Sequence, residues 1–352
     1  MRRYLGIWMT GAVAAVLLGG CEETCENTIS PIAEVYIASD LGYVARDIQP
    51  VEGDGHIIAG FLAVDSTRRP YEDALLIRTG ADGALQWTRS YAVPGADALE
   101  EARSVHLAGD GGYVVVGNSG GPVWEPEGLF QLPIQILAFK VDGLGEELWM
   151  RTVRAARLTI AYGSCMNADG SFAIAGCSGE QIPGDRGALL IKMNPYGREL
   201  WRRTFLAGPA LSATDVISTT DGGYAIVGFV EYFSRHPRRW DLYVAKLDEE
   251  GNREWDFLGG DRLGIARNWF GESIVQTNDG GYAVTGRTYD VNDRFGATSN
   301  LFAAKFDSGG DLVWTSTAPG PLTTAGYALI EDTDDSLVAR GMPTPLVLSM
   351  AV

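Results

Sequence analysis

The sequence predicts an all-β protein assembled from repeated four-stranded antiparallel sheets, and three observations carry that prediction. The first is a recurring unit, read most cleanly as Asp221-Gly222-Gly223-Tyr224-Ala225-Ile226-Val227-Gly228, a variable insert, then Leu242-Tyr243-Val244-Ala245-Lys246-Leu247-Asp248, Gly251 and Trp255. It returns around Gly112-Tyr113 to Trp149, Ser171-Phe172 to Trp201 and Gly281-Tyr282 to Trp314, with a looser first copy from Gly55-His56 to Trp87. The second is the spacing of the glycine that closes the second strand: Gly60, Gly117, Gly176, Gly228, Gly286 and Gly341 lie 57, 59, 52, 58 and 55 residues apart. The third is composition, with 45 Gly to make turns and 9 Trp to fill seams. Strand-only periods of this length mean sheets that cover one another's apolar faces, the arrangement of a β-propeller. The spacing predicts six blades, the last closed by a strand from the N-terminus.

Taken in order, the chain opens with Arg2 and Arg3 and the apolar stretch Leu5 to Leu18, the layout of a secretory signal. The stretch is too short for a comfortable membrane span. Leu18-Gly19-Gly20-Cys21 then resembles the lipobox of bacterial lipoproteins, which implies cleavage before Cys21 and acylation of that residue. The expected organisation is a signal peptide at 1–20, a lipidated tether at 21–32 and one propeller domain at 33–352. Glu22, rather than Asp, follows Cys21 and favours the outer membrane of the cell envelope. Ala33-Glu34-Val35-Tyr36-Ile37 is expected to supply the fourth strand of the last blade beside Leu346-Val347-Leu348, with Tyr36 in place of the missing Trp.

Within each unit, runs such as Tyr224 to Val227 and Leu242 to Ala245 predict half-buried strands. Asp-Gly-Gly supplies positive φ for a hairpin. Asp142 to Gly145, Asn194 to Gly197, Asp248 to Gly251 and Asp307 to Gly310 share a D/N-x-x-G turn closed by a left-handed Gly, with Gly80 to Gly83 as the variant. Four residues after each comes Trp87, Trp149, Trp201, Trp255 or Trp314, a plug between neighbouring sheets. Inner strands are expected to begin at Asp47, Ser104, Gly163, Asp215, Ser273 and Ala328.

The formal charge of −17 becomes −19 once Arg2 and Arg3 are removed. A surface that acidic repels phosphate backbones, which excludes nucleic acid, and by the same reasoning disfavours attraction to anionic headgroups. The lipid is then the only expected membrane contact, and a monomer is expected. Cys25 has no evident mate, and Cys165 and Cys177 read as two buried thiols rather than a bridge, Cys165 falling opposite about Ile174. His56, His106 and His236 stand in separate units without metal-ligand spacing, and no nucleophile elbow or phosphate loop occurs. No catalytic set, cofactor or metal is expected.

The turn and tryptophan together are similar to the docking motif A-x-D-x-x-T-G-x-x-x-W of pyrroloquinoline quinone propellers with one residue deleted. Ala245, Asp248 shifted by one, Gly251 and Trp255 carry the likeness, as do Ala138 with Trp149 and Ala304 with Trp314. From about Ala33 to Val352 the chain resembles bacterial quinoprotein-like repeat propellers. The resemblance implies the fold; the eight blades, metal site and vicinal disulfide of the quinone enzymes have no counterpart here.

Function is expected on one side of the sheets. The Asp-Gly-Gly and D/N-x-x-G turns are uniform, whereas Phe61 to Asp73, Asn118 to Gln135, Cys177 to Gly187, Phe229 to Trp240 and Arg287 to Asn300 vary in length. Variable connections on a rigid scaffold carry recognition. Tyr232, Arg235, His236, Arg238, Arg239 and Trp240 form one cluster there, with Arg267 and Trp269 in the link beside it, and Arg and aromatic side chains are interface anchors. These residues point to an interaction scaffold for an envelope protein or polysaccharide. The alternative is a carbohydrate-active or small-ligand propeller using a channel mouth lined by Arg46, Asp47, Arg103, Asp215 and Glu272.

Overall fold

The computed structural model describes residues 12–17, 33–38, 337–342 and 346–348, and the span 42–331 apart from 52–54, 64–71, 95–98, 126–127, 132, 181–185, 207–209, 234–238, 260–261, 264–266, 291–298 and 319–324. The described residues hold 27 strands and no α-helix, in two compact units.

Residues 7–153 make one unit. It begins with β1 (Ala12–Leu17) and β2 (Ala33–Ala38), followed by a sheet of β3 (Gly42–Pro50), β4 (His56–Ala63), β5 (Glu72–Thr79) and β6 (Leu85–Tyr91). The next sheet comprises β7 (Glu100–Leu107), β8 (Tyr113–Ser119), β11 (Gln135–Val141) and β12 (Glu147–Val153), and between β8 and β11 the chain makes a separate hairpin of β9 (Pro122–Glu125) and β10 (Gly128–Gln131). The other unit, from residue 154 onward, holds three more four-stranded antiparallel groups, the first two joined by a single parallel bridge between Arg186 and Ala210 into one eight-stranded sheet. They are β13 (Leu158–Met166), β14 (Phe172–Gly179), β15 (Arg186–Met193) and β16 (Glu199–Phe205); β17 (Ala210–Ser218), β18 (Tyr224–Tyr232), β19 (Arg239–Leu247) and β20 (Arg253–Leu258); and β21 (Arg267–Gln276), β22 (Tyr282–Asp290), β23 (Asn300–Phe306) and β24 (Leu312–Ala318). A three-stranded sheet of β25 (Ala325–Glu331), β26 (Leu337–Met342) and β27 (Leu346–Leu348) ends the chain.

The middle strands are buried on both faces, not one. Along β18, Tyr224 and Ile226 pack on Ala173, Ala175, Ala188 and Leu190 of the third sheet, while Ala225 and Val227 pack with Val284, Phe302 and Ala304 of the fifth. Tyr224 to Val227 are all 0 % exposed. The period of two therefore sends successive side chains into two different seams, and the strand reads as a continuous apolar run. A half-buried strand would have alternated with polar residues.

The closing glycine has a steric cause. The first strand of all six sheets slips register at one place, between Ala45 and Asp47, Ala102 and Ser104, Ala161 and Gly163, Ala213 and Asp215, Gly271 and Ser273, and Gly326 and Ala328. At this bulge the first strand's carbonyl swings toward the second. A Cβ on Gly228 would lie 1.9 Å from the Ser212 oxygen, and one on Gly117 1.8 Å from that of Glu101. These bulges sit inside strands that start several residues earlier, so the residues expected to open the inner strands lie mid-strand. Composition alone does not show a bulge.

Tryptophan couples one sheet to the next. Trp201 meets Tyr224 edge-on at 5.8 Å, and Trp255 meets Tyr282 at 5.5 Å. Each ring also covers the left-handed glycine of the next sheet's D/N-x-x-G turn: a Cβ on Gly251 would fall 2.8 Å from the Trp201 ring, and one on Gly310 2.5 Å from that of Trp255. Trp87 stands likewise against Tyr113 and Gly145. Tyr of the first turn, Gly of the second and Trp of the preceding copy form one contact, which is why the three recur together.

The turn acids are consumed locally. Asp248 Oδ1 accepts from the Glu250 and Asn252 amides, and Asp142 and Asp307 repeat the pattern. Asp279 binds the Lys305 ammonium at 2.7 Å, which with Thr277 holds its carboxyl down at about 2. A depressed carboxylate stabilises the fold above its unfolded pKa and withdraws that stability as pH falls from about 4 toward 2. Asp279→Asn should therefore destabilise modestly at neutral pH, by about 1 kcal/mol, since the carboxylate is half exposed and Lys305 keeps Thr277 and the Phe306 carbonyl as acceptors, and flatten the acid limb of a Tm-against-pH curve. An unchanged acid limb would refute this role.

The expected closing strand is corrected. Val35, Tyr36 and Ile37 pair with Ala15, Ala14 and Val13 of β1, and β27 pairs with β26 alone among the described residues. An apolar partner about twenty residues away costs less loop-closure entropy than one three hundred away. Cys165 pairs with Ala173 rather than Ile174, because the turn closed between Asn167 and Ser171 sets the register on that side, and the bulge between Ala161 and Gly163 then places Cys177 opposite Ile160. Both are free thiols, and burial pushes Cys165 up to about 12. Cys21 and Cys25 lie outside the described residues.

Candidate functional site

Connection lengths separate two kinds of loop. Five residues separate the first two strands in each of the six sheets, and five separate the last two strands in each of the five four-stranded ones. The connection between second and third strands of those five ranges from six residues, Gly179 to Arg186, to fifteen, Ser119 to Gln135, the latter containing the β9–β10 hairpin. One family of connections is fixed by the turn chemistry above, and the other is free to differ.

At the end of the fourth and fifth sheets that carries the variable connections, strand residues bring four rings together. Phe270 lies 5.0 Å from Phe229, 5.4 Å from Trp240 and 5.5 Å from Tyr289, the last nearly parallel at 22°. The Arg287 guanidinium covers Phe270 at 5.1 Å and reaches Glu272 at 3.4 Å. Burial holds the Glu272 carboxyl above its usual range against the pull of Arg287. The Trp240 amide donates to Asn268 Oδ1, fixing the strand end to the neighbouring sheet. Phe229, Arg287 and Tyr289 were not singled out from sequence; only the register, Phe270 opposite Arg287 and Asn268 opposite Tyr289, reveals them.

Of the residues expected to form the recognition cluster, Trp240 joins these rings. Tyr232 and Arg239 are paired strand residues rather than loop, and Tyr232 packs on the core between the third and fourth sheets. Arg239 is 9 % exposed and donates to Asp241 at 2.7 Å. Arg267 opens β21 opposite Asp290, and Trp269 is 3 % exposed with its ring edge-on to Phe302. Arg239 and Trp269 therefore point inward, because strand pairing runs further than the polar residues suggested. Arg235, His236 and Arg238 lie outside the described residues.

The residues expected at a channel mouth serve their own units. Asp47 accepts from the Ile48 amide and, across the seam, from the Val105 amide at 2.9 Å. Asp215 does the same with Val216 and Ile274. Each bulge carboxylate thus staples one sheet's first strand to the next. Arg46 and Arg103 converge on Glu101, at 3.4 and 2.6 Å. Burial raises the Glu101 carboxyl, but Arg103, Asn118 and Arg46 outweigh it and hold the group below the usual range.

Among the described residues, the buried acid Glu100 meets no cation. Glu100, 1 % exposed, accepts from Ser119 Oγ at 3.1 Å, and burial, with Asp73 nearby, pushes it up to about 7. A raised carboxyl loses stability as pH rises from about 4.5 through 7. Glu100→Gln should match the parent near pH 5 and exceed its Tm at pH 8; a lower Tm at both values would show that the carboxylate is needed.

No known family model matches the chain, and no curated protein matches it either. Among solved structures it is similar to a puromycin hydrolase mutant complexed with PGG, at 15 % identity and TM-score 0.51, over 88 % of this chain and 45 % of that one. PorZ, a bacterial surface component of the type-IX secretion system of Porphyromonas gingivalis, is similar at 9 % identity and TM-score 0.48 over 84 % and 39 %. The Neurospora crassa Pan2 WD40 domain is similar at 7 % identity and TM-score 0.32 over 71 % and 91 %. At such identities the likeness concerns fold alone. Repeated four-stranded antiparallel sheets in chain order are consistent with a β-propeller repeat protein.

Proposed function

We propose that the chain is a lipid-anchored cell-envelope protein whose propeller presents its variable connections as an interaction scaffold for a protein or a polymer. The five complete sheets are then five blades and β25–β27 the sixth. The observation that supports this reading is the contrast between eleven connections of five residues and a set ranging from six to fifteen. Residues on the uniform side are spent on backbone amides and buried lysines, whereas the variable side gathers Phe229, Trp240, Phe270 and Tyr289 beside Arg287. Arg and aromatic groups of this kind anchor interfaces. The leader and Cys21 support the anchor, through the lipobox resemblance.

The test is cross-linking in native membranes with the full-length chain, comparing the parent with one in which residues 234–238 are replaced by Gly and Ser. The replacement should lose the partners the parent captures while keeping the parent's Tm. Recovery of an identical set by both chains would overturn the assignment to this face.

A further inference from the structure

We propose that the outer strand of the third sheet, β16, docks on an anionic phospholipid bilayer. The proposal takes from the lipid-anchored reading only that a bilayer is at hand. Whole-chain charge argues against such contact, but the average conceals a local reversal: residues 154–206 carry seven Arg and Lys against four Asp and Glu, in a chain of net charge −17. Salt screens exposed charges beyond about 10 Å, so a surface approaching β16 senses that segment rather than the distant acids.

The strand is shaped for the contact. Among the described residues it pairs with β15 alone, and its other edge carries no further strand. The register slips between Lys192 and Met193, so Leu200 is the extra residue of an outer-strand bulge and stands 54 % exposed. Tyr196, at the tip of the preceding turn, is 71 % exposed. Arg198, between them in sequence, and Arg154 and Arg157, in the segment before β13, are exposed and, among the described residues, take part in no ion pair. Arg202 is balanced by Glu199 and donates to the Arg154 carbonyl at 3.2 Å, which ties the segment before β13 to the middle of the strand.

Protection of a sheet edge by charge accounts for basic residues alone. It does not account for large apolar groups exposed among them. The neighbouring outer strands show the difference. In β12 and its turn, Leu144 and Leu148 are exposed at the corresponding places but beside Glu146 and Glu147. In β20, Glu250 and Glu254 stand there, with Arg253 paired to Asp256 at 2.7 Å, so what sets β16 apart is arginine around the apolar pair. An exposed Tyr and Leu flanked by unpaired Arg is the chemistry that settles in a headgroup layer, the rings and aliphatic groups at the acyl boundary and the guanidinium groups on phosphate.

The test uses the full-length chain with Cys21→Ser, so that no acyl group contributes, sedimented with vesicles of phosphatidylcholine alone or mixed with phosphatidylglycerol. Each Arg near an anionic surface is worth about 1 kcal/mol, so binding to the mixed vesicles should exceed that to the neutral ones at least tenfold and fall as salt rises. Arg154→Glu with Arg157→Glu and Arg198→Glu should abolish the preference. Tyr196→Ser with Leu200→Ser should weaken binding severalfold and leave its salt dependence in place. Equal binding to both vesicles, or a triple variant that binds as the parent does, would overturn the proposal; circular dichroism confirms that each variant is folded. The mass of the native N-terminal peptide reports acylation separately, so failure of the anchor and failure of the docking surface are told apart.

Discussion

Trp255→Ala is expected to lower the unfolding free energy by about 3 kcal/mol, the lower part of the range for removing a large aromatic from a packed site. The ring is only partly buried, yet it seals three things at once. It stands edge-on to Tyr282, covers the left-handed Gly310, and donates from Nε1 to the Ser308 carbonyl at 3.1 Å. Alanine would open the seam between the fourth and fifth sheets to water and leave the Ser308 turn without its cover. Trp255→Phe should recover roughly half the loss, since a ring remains but the hydrogen bond does not. Urea unfolding with an unchanged m-value is the measurement. A loss below about 1 kcal/mol would mean the ring is a lid rather than a plug.

Gly228→Ala is expected to do still more harm, at about 3 kcal/mol or above, because the added methyl meets backbone and not a movable side chain. The Ser212 oxygen would lie at 1.9 Å and its carbon at 2.9 Å. Relief requires β17 to leave its bulge, and with it the Asp215 carboxylate that holds the Ile274 amide of the next sheet at 3.1 Å. The damage should thus spread to the neighbouring seam and broaden the transition. Gly109→Ala is the control, with nothing within 4 Å of its Cβ. If the two substitutions cost the same, the bulge carbonyl does not explain why glycine recurs there.

Much of this architecture was legible in the residues. Asp-Gly-Gly and D/N-x-x-G each encode a local hairpin through a positive φ and an Asp or Asn that binds its own turn, so periodicity located the six repeated sheets but neither the β1–β2 pair nor the β9–β10 hairpin. The Trp plug was legible for the same reason, as a large group at a fixed offset from a left-handed glycine. The bulge was not, since Arg46, Arg103, Thr214 and Glu272 share no side-chain type at the position where the ladder slips. That slip put the residues expected to open the inner strands in mid-strand and shifted the partner of Cys177. Side-chain direction was hidden likewise: Arg239 and Trp269 look like loop anchors until extended pairing turns them inward.

Sequence alone settled that the chain is all-β and repeated, with a Trp plug at a fixed offset from a turn glycine, because those features depend on contacts within one turn or on copies of one pattern. Tertiary structure alone decided that Phe229, Trp240, Phe270 and Tyr289 meet, that Asp47 and Asp215 staple neighbouring strands, and that Tyr196 and Leu200 stand exposed among arginines. Each of those outcomes depends on which strand lies beside which and on where a ladder slips by one residue, and a one-residue slip sends every later side chain to the opposite face.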